Sequence, residues 1–248
     1  MKKVLAIAVA GIICFPLLCR AEVPEYTVLR TTEKIVIDGI LDDTDWAAAK
    51  SVGDFKFPWQ DKTGDRDQTE VKILWDDTFL YISYKCEDKH IWATHYDTNS
   101  ESYRDDCVEF FWNPNPEAGK TYNMFEFNCI GNLLSVNTGS GKRISERISR
   151  ILVPHIAQTI QGTVNNDEDT DTGWILEIAV RFSDYPELSK RQAPLPGDMW
   201  RVGLNRCGGR AGQTAEQFSM WSPPQTEKPN FHVPDDFGRI VFSDKPVR

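Results

Sequence analysis

The chain has 248 residues, with 37 acidic against 28 basic side chains and a formal net charge of −9. That balance argues against nucleic acid or an anionic membrane surface as a partner, because both are met by basic patches. The six cysteines show no Cys-x-x-Cys pair and no His/Cys spacing of the kind that holds zinc.

Residues 1–21 open with Lys2 and Lys3, continue as an apolar run over residues 4–18 and end at Arg20-Ala21. This is the layout of a secretory signal peptide, and the run is too short for a comfortable membrane span. Bulky Ile13 and Leu18 precede Cys14 and Cys19 where a lipoprotein anchor has a small residue, so lipidation is not expected. The expected mature chain, residues 22–248, is secreted or periplasmic and has no transmembrane segment. Losing the leader removes three basic residues and no acidic ones, which takes the charge from −9 to −12. The remainder suits a single domain. In an oxidising compartment Cys86, Cys107, Cys129 and Cys207 allow three disulfide pairings, with free buried thiols an equal alternative.

From Tyr26 onward the pattern is one of short alternating segments broken by turns. Asp38-Gly39 signals a tight turn, and residues 41–46 read as a short helical turn whose Trp46 plugs the core. Residues 71–75 and 79–86 are predicted strands joined in a hairpin at Asp76-Asp77-Thr78. The polar interval 87–104 carries Trp92 and Tyr103, and loops entering a rigid strand are where binding side chains usually sit.

Residues 105–112 and 122–129 are predicted to pair as an antiparallel hairpin around the turn formers of 113–120. Alternation directs Val108, Phe110 and Trp112 to one face and Cys107, Glu109 and Phe111 to the other. On the partner strand Asn123, Phe125 and Phe127 oppose Tyr122, Met124, Glu126 and Asn128. Matching the apolar sets gathers Glu109, Glu126 and Asn128 into one polar cluster, suited to a polyhydroxylated ligand or simply to the wet face of an antiparallel sheet.

Residues 135–150 carry four basic side chains and isoleucines at 144, 148 and 151, compatible with a short amphipathic helix or a flexible loop. Residues 156–164, 174–182, 200–206 and 237–242 are further predicted strands. The expected fold is therefore all-β, an antiparallel β-sandwich of two packed sheets, jelly-roll or immunoglobulin-like. Asp167, Asp169 and Asp171 have the alternate spacing of a calcium loop, so Ca2+ is a possible cofactor, although the loop glycine and the terminal bidentate Glu are absent.

No nucleophile elbow, phosphate loop or His-Glu-x-x-His motif occurs. A glycosidase using Glu109 and Glu126 is the enzymatic alternative. A haem electron carrier drawing on Met124, Met199 or Met220 is a third reading.

Five segments together resemble the family 9 carbohydrate-binding modules, in the family's order and across nearly the whole mature chain. They are residues 37–46 (Ile-Asp-Gly-Ile-Leu-Asp-Asp-Thr-Asp-Trp), 71–81 (Val-Lys-Ile-Leu-Trp-Asp-Asp-Thr-Phe-Leu-Tyr), 105–111 (Asp-Asp-Cys-Val-Glu-Phe-Phe), 173–178 (Gly-Trp-Ile-Leu-Glu-Ile) and 234–238 (Pro-Asp-Asp-Phe-Gly). The resemblance implies a non-catalytic β-sandwich, associated with polysaccharide degradation, that clamps a terminal sugar between two aromatic rings. The ligand would be a mono-, oligo- or polysaccharide. By position Tyr103 and Phe231 resemble the clamp, Glu109 a sugar-binding Glu and Asn128 a polar contact on the neighbouring strand. Glu126 stands where better-known modules carry Arg, which implies a different hydroxyl pattern or a pairing of Glu126 with Arg206. Arg206 and the loop residue Trp221 complete the expected sugar-binding set. Arg206 and Glu177 are equally readable as a structural ion pair.

Overall fold

A computed structural model of the protein describes residues 22–59, 66–137, 142–143, 154–185, 193–208 and 217–248. Its strands are β1 (Glu25–Arg30), β2 (Thr69–Trp75), β3 (Phe79–Glu87), β4 (Cys107–Asn113), β5 (Asn123–Asn128), β6 (Leu133–Asn137), β7 (Lys142–Arg143), β8 (His155–Gln161), β9 (Gly173–Arg181), β10 (Met199–Gly208), β11 (Gln217–Met220) and β12 (Gly238–Pro246), with one short helix α1 (Thr44–Ala48). No described helix is long and apolar enough to cross a membrane.

The strands form one continuous path, β7-β6-β5-β4-β10-β12-β1-β2-β3-β9-β8, with β11 paired to β10. Every contact is antiparallel except those of β1, which runs parallel to β12 through Glu25 to Val28 and parallel to β2 through Leu29 and Arg30. A bulge between Val28 and Arg30 lets this one strand pass from one layer to the other. The sheet curls on itself and its halves pack as a sandwich. Val108, Phe110, Phe125, Phe127, Val202 and Leu204 from one half meet Val71, Ile73, Leu80, Ile82, Leu176 and Ile178 from the other in the main core.

The period-2 alternation of the sequence survives intact in the central hairpin. Val108, Phe110, Trp112, Phe125 and Phe127 lie in the main core, whereas Cys107, Phe111, Tyr122 and Met124 belong to a second cluster on the other face. The turn at Asp76 forms as expected, with Asp76 Oδ1 accepting the amides of Thr78 at 2.6 Å and Phe79 at 2.7 Å. Trp46 on α1 is fully buried, but over the outer face of β2, β3 and β9, among Ile35, Leu74, Tyr81 and Ala179. Its indole donates to Glu177 Oε1 at 2.7 Å, and the amides of Gly39 and Asp38 donate to Glu177 Oε2 at 2.7 and 3.1 Å. Glu177 is therefore a buried staple for that segment, satisfied by neutral donors and not by Arg206. Gly173 is required where β9 meets β3: it has φ +145°, and a Cβ there would lie 2.0 Å from the Cys86 carbonyl oxygen.

The stretch expected as amphipathic helix or loop begins instead as sheet, since Ser135 lies in β6 and Lys142 and Arg143 form β7. Its isoleucines, Arg147 and Arg150 lie outside the described residues. The four described cysteines are all free and buried.

Candidate functional site

The outer face of β6, β5, β4, β10 and β11 is built from rungs of facing residues. One rung runs Met220, Asn205, Glu109, Glu126, Leu134 across five strands. The next runs Phe218, Cys207, Cys107, Asn128. Facing positions place Cβ atoms about 4.5–5.5 Å apart, so the carboxyl groups of Glu109 and Glu126 are immediate neighbours. Above them opens a cavity of about 560 Å3, walled by Tyr103, Met124, Phe218, Phe231 and His232.

This face is not a wetted one. Glu109 and Glu126 are each 3% exposed, because the 229–232 segment and the Ser102–Arg104 turn cover the sheet. Glu109 Oε2 accepts from Asn205 Nδ2 at 3.1 Å, and Cys207 Sγ lies 3.7 Å from Oε1. Burial pushes the Glu109 carboxyl up to about 7, against the lowering effect of those two contacts.

The walls are held by packing. Phe231 lies against Trp59 at 5.7 Å and edge-on to Phe218 at 5.9 Å, and the Trp59 indole donates to the Thr226 carbonyl at 2.9 Å. His232 stacks on Phe111 at 5.3 Å, its Nδ1 2.8 Å from the Tyr122 hydroxyl. Tyr103 is fixed at the rim by its hydroxyl, which donates to Glu101 Oε1 at 2.8 Å, and Arg104 Nε meets the other oxygen of Glu101 at 2.7 Å. Apolar ring faces around buried hydrogen-bonding groups match the apolar faces and polar rim of a pyranose.

The sequence profile of carbohydrate-binding family 9 matches residues 38–242. The chain belongs to that family. Solved structures repeat the fold. A candidate carbohydrate-binding protein from Bacteroides uniformis superposes with a TM-score of 0.69 at 20% identity, covering 90% of this chain and 100% of its own. A family 9 module from Caldicellulosiruptor kristjanssonii in complex with cellotriose gives 0.63 at 15% identity, over 89% of this chain and 95% of the module. Its complex with glucose gives 0.59 at 17%, over 89% and 96%. No curated protein matches the chain.

Of the residues expected to bind sugar in this family 9 chain, Tyr103, Glu109, Glu126 and Phe231 come together around the cavity. The other three do not. Asn128 shares the face of Glu109 but lies a rung beyond and is fully buried. Its Nδ2 donates to the His95 carbonyl at 2.8 Å and to Asp105 Oδ2 at 2.9 Å, while Oδ1 accepts the Asn132 amide at 2.8 Å. Asp105 in turn takes the amides of Thr94 and His95 and His95 Nδ1. Burial alone would raise Asp105, but the hydrogen bonds from His95, Asn128 and those amides outweigh it and hold the carboxyl below its usual range. Asn128 thus positions the loop that carries Tyr103.

Arg206 is on the opposite face, in the core, with Nη2 3.0 Å from Asp88 Oδ2 and its guanidinium 6.0 Å from the Trp174 ring. Strand parity decides this, since Arg206 alternates with Asn205 and Cys207 and shares the side of Val202 and Leu204. A pairing with Glu126 is excluded by that geometry. Trp221 is a core residue, 4% exposed, its indole donating to the Val52 carbonyl at 2.9 Å; its ring fills the space where Gly238 has no side chain.

The aspartates of the possible calcium loop do not converge. Asp171 turns inward to accept the amides of Ile91 at 2.8 Å and Thr163 at 2.7 Å, while Asp167 and Asp169 stay exposed. Among the described residues no group of three or more His, Cys, Asp or Glu side chains gathers as a metal site. Sequence reasoning missed Trp59, Phe218, His232 and Asn205 as builders of the site. Asn205 depends on β10 pairing with β4 across roughly ninety positions of chain, for which the sequence carries no local signal. Phe218 sits in a four-residue strand too short for its alternation to stand out.

Proposed function

We propose that the protein is an exported, non-catalytic saccharide binder, released by cleavage of the leader over residues 1–21 and serving polysaccharide utilisation. The sugar ring lies against Tyr103, Phe218 and Phe231, and its hydroxyls reach Glu109 and Glu126. The observation that carries this reading is the facing carboxyl pair at the floor of an aromatic-walled cavity. Membership of a carbohydrate-binding family and a fold shared with modules that hold cellotriose and glucose support it.

Calorimetric titration of the protein with mono- and oligosaccharides tests it. One sugar should give saturable heat with no product on chromatography. Tyr103→Ala should weaken binding about tenfold or more, from the loss of one ring contact, and leave the melting temperature nearly unchanged because Tyr103 is at the rim. Phe231→Ala should weaken it further, with some cost in stability. A silent panel would remove the sugar assignment, and accumulation of shortened sugar would replace binding with hydrolysis.

A further inference from the structure

The outer face of the opposite layer carries a second cavity, of about 330 Å3. Its floor is a row of facing residues, Tyr81 on β3, Ala179 on β9 and His155 on β8. The single methyl of Ala179 between two ring side chains leaves the hollow, and the 34–37 segment walls it. In the next row Phe79 faces Arg181. The guanidinium lies 4.7 Å from the centre of the Phe79 ring, and the His155 ring lies 5.7 Å from it.

The charge of this cavity is opposite to that of the chain. In a protein of net charge −9, Lys34 and Arg181 line it and no described carboxyl side chain does. Neither cation forms an ion pair with a described residue. Carboxyl groups on the surrounding elements are turned to other donors. Asp76 accepts the Tyr81 hydroxyl at 2.7 Å as well as the two turn amides. Glu177 holds Trp46 and the amides of Asp38 and Gly39, and Asp43 Oδ2 lies 3.4 Å from the Val36 amide.

A guanidinium fork beside an ammonium suits a carboxylate, which the arginine can take through two parallel hydrogen bonds. The adjoining rings of Phe79 and His155 suit the C–H face of a sugar. The volume is near the lower end for ligand pockets, about 300 Å3, and fits one sugar ring better than a chain. We propose that this second cavity binds an acidic sugar, a uronic acid unit, with its carboxylate on Arg181 and Lys34 and its ring against Phe79 and His155. The site is distinct from the Glu109 cavity, because β3, β9 and β8 lie at the other end of the strand path from β6, β5 and β4.

Calorimetric titration of the protein with glucuronate, glucose and acetate tests this. Glucuronate should bind about tenfold or more tightly than acetate, since acetate offers the charge without the ring. Raising the ionic strength from about 0.05 M to about 0.5 M should weaken it several-fold. Arg181→Gln should weaken glucuronate about tenfold or more, and Lys34→Gln about threefold or more. Both variants should keep the wild-type response to neutral sugars, and Lys34→Gln should keep the melting temperature because Lys34 is exposed. Ala179→Leu, which fills the hollow, should abolish glucuronate binding. Glucuronate heat unchanged in both charge variants would place the acid elsewhere and overturn the inference. Acetate binding as tightly as glucuronate would reduce the site to a surface anion contact and overturn it too. Heat with glucose and none with glucuronate would overturn the acidic-sugar site while leaving the saccharide-binding reading intact.

Discussion

Replacing Arg206 separates a structural role from a binding one. Its guanidinium is buried with Asp88, their side chains 4% and 3% exposed and 3.0 Å apart. It also reaches the carbonyls of Asp67 and Gln68 at 3.4 Å and Thr69 Oγ1 at 3.3 Å. In Arg206→Met the Asp88 carboxylate would keep the Trp174 indole at 3.1 Å and the His90 amide at 3.1 Å, but no cation. Removing one partner of a buried pair costs about 3–5 kcal/mol, because the remaining charge is left without compensation in low dielectric. With a urea dependence of roughly 2–3 kcal/mol per molar for a chain of this size, the denaturation midpoint should fall by about 1–2 M. The double variant Arg206→Met/Asp88→Leu should recover most of the loss, since an apolar pair of similar volume is often as stable as the ion pair it replaces. Followed by tryptophan fluorescence, a midpoint shift under about 0.3 M for the single variant would refute the burial argument. A folded Arg206→Met protein that has lost saccharide binding would show that Arg206 reaches the ligand after all.

Stability should also depend on pH through Glu109. Its folded-state value of about 7 lies above the ordinary 4.5, so its contribution is fully present below about pH 4.5 and is lost as pH rises through 7, a swing of about 3 kcal/mol. Glu109→Gln should flatten that decline in urea titrations at pH 5 and 8, and parallel losses in both proteins would contradict it. The thiols offer a third check. Burial pushes Cys86 up to about 12 and places Cys107, Cys129 and Cys207 well above the usual thiol range, so none of the four should react with iodoacetamide at pH 8 until urea unfolds the chain. Rapid labelling of any of them in the native protein, read by mass spectrometry of peptides, would be incompatible with this packing.

Local alternation sufficed to sort the central hairpin. A strand's period of two is a property of the backbone, so Glu109 and Glu126 could be assigned to the face opposite Phe110 and Phe125 without knowing any other strand. The same parity, counted from Val202 and Leu204, places Arg206 in the core, a signal present in the sequence but outweighed by the tendency to put charged side chains in sites. The burial of Trp46 and the turn at Asp76 are likewise legible, since each is written within a few residues, but that Trp46 covers the outer face of β2, β3 and β9 and not the main core is set by the sheet.

What the sequence determined alone is thus the strand alternation, the turn chemistry and the family pattern, all carried by short-range backbone and side-chain periodicity. The tertiary structure decided which strands became neighbours: β10 beside β4 puts Asn205 and Cys207 against Glu109, and β1 links the two layers. It also decided that the polar face would be covered by the 229–232 segment and the Tyr103 turn. That covering turns two glutamates that alternation alone would leave in water into a buried carboxyl pair, because burial depends on tertiary contacts, among them those of the 229–232 segment more than a hundred positions from either glutamate.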